Sequence, residues 1–191
     1  MTPILGIMAS QISGHLSTTS YESIATTTVG SGGTTYVEFT SIPATYKHLQ
    51  IRYLARDDNS GVDGTNVITI NGDTGTNYWS AHFLYGNGTS LVAGSGANVA
   101  FINQYRHAGN GAASNVFGGG TIDILDYTST NKNKTLRYLA GFDNNGSGQL
   151  FFGSALWYPS TIAAITSIKL TPSNGTPKYL EYSSFALYGV K

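Results

Sequence analysis

An alternation of apolar and polar residues constrains the fold of this chain more than any other feature. It is clearest in the run 48–56, where Leu49, Ile51, Tyr53 and Ala55 would line one face and Gln50, Arg52 and Arg56 the other. Such alternation is typical of a half-buried β-strand, because successive side chains of an extended chain point to opposite faces. Further β-like runs occupy residues 36–39, 67–70, 121–127, 136–140, 150–152, 165–170 and 185–190.

Turn residues separate these runs. Five Asn-Gly steps are each predicted to reverse a strand, because Asn-Gly favours the positive φ angles of a tight hairpin turn; they begin at Asn71, Asn87, Asn110, Asn145 and Asn174. The glycines at 94–96 and 118–120 are interpreted as bulges, bends or loops. No segment has convincing helix periodicity, and the best candidate, 159–164, is one turn at most. The sequence therefore predicts an all-β fold, an antiparallel β-sandwich.

The first 20 residues differ from the rest of the chain. They are poor in charge and lack strong alternation, so we expect an extended N-terminal arm that becomes ordered against a neighbouring copy. A flexible tail and a first strand of the same sheet remain alternatives. Residues 21–191 are predicted to form a single β-sandwich domain. The arm would make its contacts through apolar residues: Ile4, Leu5, Ile7, Met8, Ile12 and Leu16.

The charge balance bears on the class of partner. Ten Lys and Arg residues balance ten Asp and Glu residues, so the formal net charge is zero, and only 10% of the residues are charged. We therefore expect no nucleic-acid partner and no anionic lipid partner. Low self-repulsion suits a protein that packs against copies of itself. The start of the chain does not resemble a signal peptide, and no run of about 18 apolar residues is present, so no membrane span is expected.

Residues that could carry catalysis do not occur in the patterns that catalysis needs. The four histidines lack the spacing of a metal pair, and we expect structural or surface roles for them: His15, His48, His82 and His107. No serine lies in a nucleophile elbow. Asp123 and Asp126 are the closest attractive carboxylate pair, but on one strand they would point to opposite faces. With no cysteine present, the sequence predicts no enzyme and no cofactor.

Two binding functions remain open at the level of sequence. Oxygen-rich loops at 57–63, with Asp57, Asp58, Asn59 and Asp63, and at 143–147 could hold a hard cation, although neither has the terminal Glu of an EF-hand loop. Asp and Asn also simply make turns. Aromatic side chains that combine a flat face with a polar group suit a glycan or a protein partner. The candidates are Tyr78, Trp79, Tyr85, Tyr105, Trp157 and Tyr158.

Several blocks in a fixed order resemble a known group of proteins. They are SQISGHL at 10–16, IPATYKHLQIR at 42–52, INGDTGTNY at 70–78, IDILDY at 122–127, NKNKT at 131–135 and YSSFALYG at 182–189. Together they resemble structural proteins of tailed bacteriophages, particularly those of cyanobacteria and other aquatic bacteria. The resemblance implies a virion protein, either a head decoration (cement) protein or part of the tail or fibre. It also implies a jelly-roll-like sandwich, commonly trimeric, and it transfers no catalytic residue.

The leading hypothesis is therefore a non-enzymatic capsid decoration protein. It would be assembled in the host cytoplasm, act in the virion as a homo-oligomer (expected to be a trimer), and bind the major capsid protein or another virion component. The alternative is a receptor-binding or carbohydrate-binding module at a tail fibre, with a host surface glycan as its ligand. The sequence leaves open the location in head or tail, the strand order and which aromatic residues are exposed.

Overall fold

The computed structural model describes residues 20–79, 83–172 and 177–191. The arm residues predicted from the sequence, Ile4 to Leu16, and His82 lie outside the described residues. The described residues form thirteen strands and no helix. The strands are β1 (Tyr21–Thr28), β2 (Val37–Phe39), β3 (His48–Ala55), β4 (Asp63–Ile70), β5 (Tyr78–Trp79), β6 (Phe83–Gly86), β7 (Leu91–Gly94), β8 (Ile102–Ala108), β9 (Gly118–Ile124), β10 (Lys134–Asp143), β11 (Gly148–Trp157), β12 (Ile168–Pro172) and β13 (Ser184–Val190).

These strands form two antiparallel sheets packed face to face. The large sheet has nine strands in the order β1-β13-β3-β9-β10-β11-β6-β7, with β5 paired to the far end of β11. The small sheet has four strands in the order β2-β12-β4-β8. The prediction of an all-β antiparallel sandwich is confirmed. The jelly-roll connection implied by the resemblance stays a prediction.

The core lies between the inner face of the large sheet and the small sheet. Alternate residues of β10 and β13 are buried, as a period of two requires. Leu49, Ile51, Tyr53 and Ala55 of β3 are all buried, so the inward face predicted for this strand is confirmed. They belong to one hydrophobic cluster with Ile68, Ile70, Ile168 and Leu170 of the small sheet. Burial of this shared cluster holds the two sheets together.

Arg56 departs from the predicted polar face of β3. It follows the last residue of the strand and is 7% exposed. Its guanidinium donates hydrogen bonds to four carbonyl oxygens of the loop between β8 and β9, those of Asn110, Ala112, Ala113 and Val116. The prediction failed because the loop supplies the acceptors, and five fixed donors make Arg suited to such a cluster. Arg56 thereby ties this loop to the end of β3.

The Asn-Gly steps reverse strands in two places and connect the sheets in two others. Asn145-Gly146, with φ angles of 53° and 97°, joins β10 to β11, and Asn87-Gly88 joins β6 to β7. Both predictions are confirmed. Asn71 and Asn110 instead follow strands of the small sheet and lead into the large one, so they do not close hairpins. Asn174 lies outside the described residues.

The glycines at 118–120 were predicted to form a bulge, bend or loop, and this prediction is wrong because they begin β9. A Cβ atom on Gly120 would lie 2.4 Å from the Tyr53 ring, and one on Gly118 would lie 2.6 Å from His107 Cα. Glycine is therefore required by close packing, not by a turn. The strand ends at Ile124, and Asp126, with a φ angle of 48°, lies in the following turn.

Substitution at this glycine run tests the close packing. Gly120→Ala is expected to lower the free energy of unfolding by about 1–3 kcal/mol, because the added methyl group overpacks the core. The neighbouring Gly119→Ala is the matched control, because its Cβ would lie 3.6 Å from the Tyr53 carbonyl oxygen, an ordinary van der Waals contact. Urea unfolding of both variants measures the difference. Equal stability of the two variants would contradict the role assigned to Gly120.

Candidate assembly surface

Part of the outer face of the large sheet is apolar and exposed. Six large apolar side chains on β3, β6, β7, β10 and β11 are exposed there, with exposed fractions from 42% at Leu84 to 74% at Leu91. Residues directly opposite each other on paired strands share a face, and the strand registers place these six side chains on one face. We call this region the outer patch: Leu54, Leu84, Leu91, Leu139, Leu150 and Phe152.

The strand registers arrange the outer patch in two neighbouring rows that run across the sheet. The first, the large row, contains Arg52, Thr121, Leu139, Phe152, Leu84 and Ala93. The second, the glycine row, contains Leu54, Gly119, Gly141, Leu150, Gly86 and Leu91. Missing side chains at its glycines contribute to an open groove of about 930 Å³ on the outer face, lined in part by Leu139 and Leu150. The patch therefore has raised and recessed parts.

Charged residues flank the patch on β10. Arg137 and Asp143 are exposed, and burial alternation places them on the same face as Leu139. Among the described residues neither has an ion-pair partner within the chain. Each charge is thus available to an external partner.

A polar network covers the neighbouring part of the outer face. Gln50 Nε2 donates a hydrogen bond to Asp123 Oδ1 at 2.7 Å, and Arg52 Nε donates one to Gln50 Oε1 at 2.6 Å. The Arg52 guanidinium also lies 5.0 Å from the Tyr21 ring centroid and 4.8 Å from that of Tyr188. An apolar centre beside a polar rim is the composition of many protein interfaces.

The aromatic residues proposed as ligand contacts differ in how exposed their side chains are. Tyr78 and Trp157 are buried, and Tyr85 is half-buried against Phe151, with ring centroids 5.0 Å apart. Trp79 is 43% exposed, and its ring meets the partly exposed Tyr158 edge-on, with centroids 5.6 Å apart. Only the backbone of Tyr105 is described, in β8. Of the six proposed residues, Trp79 and Tyr158 therefore form an accessible aromatic pair.

Asp73 holds the two buried aromatic residues, Tyr78 and Trp157, in place. Its carboxylate accepts hydrogen bonds from Trp157 Nε1 at 2.8 Å and from the Gly75 amide at 2.9 Å, while its carbonyl oxygen accepts one from Tyr78 Oη. Partial burial of the Asp73 carboxyl raises its pKa, but the bonds from Trp157, Gly75 and Asn77 outweigh this effect, and the net shift is downward. These aromatic residues therefore serve as structural support.

The loop proposed as a cation site at 57–63 uses its oxygen atoms internally. Asp57 Oδ2 lies 3.0 Å from Nε2 of His107, and both side chains are fully buried. Asp63 forms an ion pair with Arg106, Asp58 Oδ1 accepts a hydrogen bond from the Lys178 amide, and Asn59 Oδ1 accepts one from the Gly61 amide. These contacts supply structural partners for the oxygen atoms that a cation would use.

In the second proposed cation loop, at 143–147, side-chain oxygen atoms also accept hydrogen bonds from within the chain. Asp143 Oδ1 accepts a hydrogen bond from the Gly146 amide, and Asn144 Oδ1 accepts one from the Ala113 amide. The described residues contain no group of three or more His, Asp or Glu side chains that could hold a metal ion.

Asp123 and Asp126, the carboxylate pair considered in the sequence, do not share a strand, because Asp126 lies in the turn where its amide donates a hydrogen bond to His48 Nδ1. Its assignment to a strand was therefore wrong.

The outer patch itself was not among the sites predicted from the sequence. A signal for it does exist, because Leu150, Phe151 and Phe152 are consecutive, and Phe151 is buried while its two neighbours are exposed. An apolar run without alternation indicates a strand that needs cover on both faces. The glycine row carries no comparable signal, because its members come from separate segments of the chain.

Comparisons with known proteins give no further guidance. No protein-family model, no curated protein and no solved structure matches this chain. Within the described part of the chain, no helix is long and apolar enough to cross a membrane.

Asp73 provides a test of the aromatic support. Asp73→Asn is expected to lower the free energy of unfolding at pH 7 by about 1 kcal/mol, because it weakens charge-assisted hydrogen bonds. The lowered pKa means that this contribution is complete above the unfolded-state value of 3.8 and is lost as the pH falls through the folded-state value. Urea unfolding between pH 2 and 7 should therefore show the two proteins converging in acid, with the exposed Glu181→Gln as control. A constant difference across this range would be inconsistent with the role of the carboxylate.

Proposed function

We propose that this chain is a non-enzymatic structural protein of a tailed-phage virion that works by assembly, as a capsid decoration protein. The observation that carries the proposal is the outer patch, six large apolar side chains exposed on one sheet face. Monomeric proteins rarely expose contiguous apolar regions of more than a few hundred Å², and larger ones mark interaction sites. The resemblance to phage structural proteins provides the context of the virion.

The energetics of the outer patch favour assembly. Each Å² of apolar surface removed from water contributes roughly 25 cal/mol, so covering such side chains stabilises a complex. The net charge of zero keeps repulsion between copies low. Contacts between copies and with the major capsid protein would then reinforce the shell, because any partner that binds the folded state stabilises it.

The polar residues of this chain support a structural role. Asp63 and Asp73 each have a partner that stabilises the fold: Arg106 and Trp157. Their hydrogen bonds and ion pairs hold loops and sheet ends together. The outer patch is accordingly the site to which we assign the function.

Electron cryomicroscopy of the intact particle tests the virion assignment. Hundreds of copies on the shell are expected for a decoration protein, with the outer patch covered by a neighbouring subunit. A few copies at the tail or fibre would favour the alternative of host attachment. Absence from the particle would refute the virion assignment.

Self-association in solution tests the role of the outer patch. Phe152→Ser removes an aromatic side chain that is 60% exposed and is expected to weaken self-association at least tenfold. Tyr36→Ser is the matched control, because Tyr36 is 46% exposed and contacts Lys169 of the small sheet. Sedimentation equilibrium measures the association, and thermal unfolding confirms that both variants fold. Equal association of the two variants would argue against the patch as the contact surface.

The exposed pair of Trp79 and Tyr158 favours a second candidate, a carbohydrate-binding module. Aromatic faces stack on sugar rings, and Trp79 pairs with Leu156 on the outer face of β11. On this alternative, Trp79→Ala is expected to reduce retention on immobilised host polysaccharide by at least tenfold without loss of folding. Tyr36→Ala is the control. Wild-type protein that passes through the column unretained would eliminate this candidate. The buried Trp157 is unsuitable for the test, because its removal would damage the core.

A further inference from the structure

On β6, β9 and β10 the two rows of the outer patch differ in size, which makes these parts of the patch complementary to each other. On β10, Leu139 belongs to the large row and Gly141 to the glycine row. On β6, Leu84 and Gly86 repeat this arrangement, and on β9 Thr121 and Gly119 repeat it with a smaller side chain. Raised and recessed positions thus lie two residues apart on three strands of one sheet.

We propose that the outer patch pairs with the same patch of a second copy around a two-fold axis. The axis lies between the large sheets of the two copies, nearly perpendicular to β10 and level with Ala140. This inference rests on the proposed assembly function and names its partner, a second copy of this chain. The axis places Leu139 over Gly141 of the second copy and Leu84 over Gly86 of that copy. Large-row side chains then lie over the glycines on β6, β9 and β10, as close packing requires, while on β11 Phe152 meets Leu150 of the second copy in an apolar contact.

Two charged residues on β10 favour the same axis, independently of side-chain size. Arg137 and Asp143 lie three residues on either side of Ala140, on the exposed face of β10. The axis therefore places Arg137 opposite Asp143 of the second copy, twice in one dimer. An axis along β10 would instead place Arg137 opposite itself and Leu139 against Leu139. Repulsion between the two Arg137 side chains would disfavour that arrangement.

The dimensions of the sheet allow this pairing. Six strands from β3 to β7, about 4.8 Å apart, and six residue steps along β10, about 3.4 Å each, give a footprint of roughly 600 Å² per subunit. Two such footprints reach about 1,200 Å², the lower end of specific interfaces. Because sheets are twisted, stacked sheets cross at about 30°, which tilts the axis by about 15° from the perpendicular to β10. This crossing moves each charge sideways by about 5 Å, a distance that the long Arg side chain can cover.

Charge exchange between the two positions tests the geometry. Arg137→Asp and Asp143→Arg each place like charges together twice, and each is expected to weaken dimerisation of the wild-type chain at least tenfold. The double variant, which carries both changes in one chain, restores both pairs and should dimerise like the wild type. An equimolar mixture of the two single variants should form a heterodimer, because both of its contacts are again Arg opposite Asp.

Native mass spectrometry and sedimentation equilibrium, with thermal unfolding as a check on folding, provide the readout. A wild-type mass of two chains, loss of dimer in each single variant, and recovery in the double variant and the mixture would support the two-fold pairing. Wild-type protein that associates without sensitivity to these charges, or with a mass of three chains, would overturn the pairing but leave the assembly function standing. A monomeric wild type would overturn the pairing and self-association together.

Discussion

The large sheet has two faces, and the small sheet of the same chain covers only the inner one. This constraint underlies the architecture of the protein, because several strands of the large sheet are apolar on both faces. In β11 the inward Phe151 is fully buried, while the outward Leu150 and Phe152 are 62% and 60% exposed. A strand of this kind satisfies one face within the chain and needs a second partner for the other. We base the proposed assembly function on this imbalance.

Buried polar groups give the exposed face a stable support. The Arg56 guanidinium binds the carbonyl oxygens of one loop, and Lys134 Nζ donates hydrogen bonds at 2.6 Å to the Ser129 and Lys132 carbonyl oxygens of another. Burial lowers the pKa of Lys134 by disfavouring its charged form, and the two carbonyl oxygens accept hydrogen bonds from its ammonium group. His107 and Asp57 form a fully buried pair near the junction of β8 and β3. These contacts fix the loops at the ends of β3 and β10.

The sequence pattern predicted the inner face of the large sheet better than its outer face. Alternation in β3 predicted its inward residues correctly, and the Asn-Gly steps at Asn87 and Asn145 marked two true hairpins. The outer patch could not be assembled from such signals, because its residues come from β3, β6, β7, β10 and β11 and meet only through strand register. The glycines at 118–120 show the same limit. Composition indicates a loop there, whereas these residues begin β9, and the Tyr53 ring leaves no room for a side chain at Gly120.

The amino-acid sequence by itself determined the all-β class, the inward face of β3 and the low charge that suits assembly, because these depend on local periodicity and composition. Tertiary structure alone decided which aromatic residues are accessible, since burial of Tyr78 and Trp157 depends on Asp73 and on strands distant in the chain. It also decided that Arg56 is buried and that Leu139 and Phe152 share one surface. These outcomes depend on which strands become neighbours, and strand order is set by the packing of the whole chain, not by any single segment.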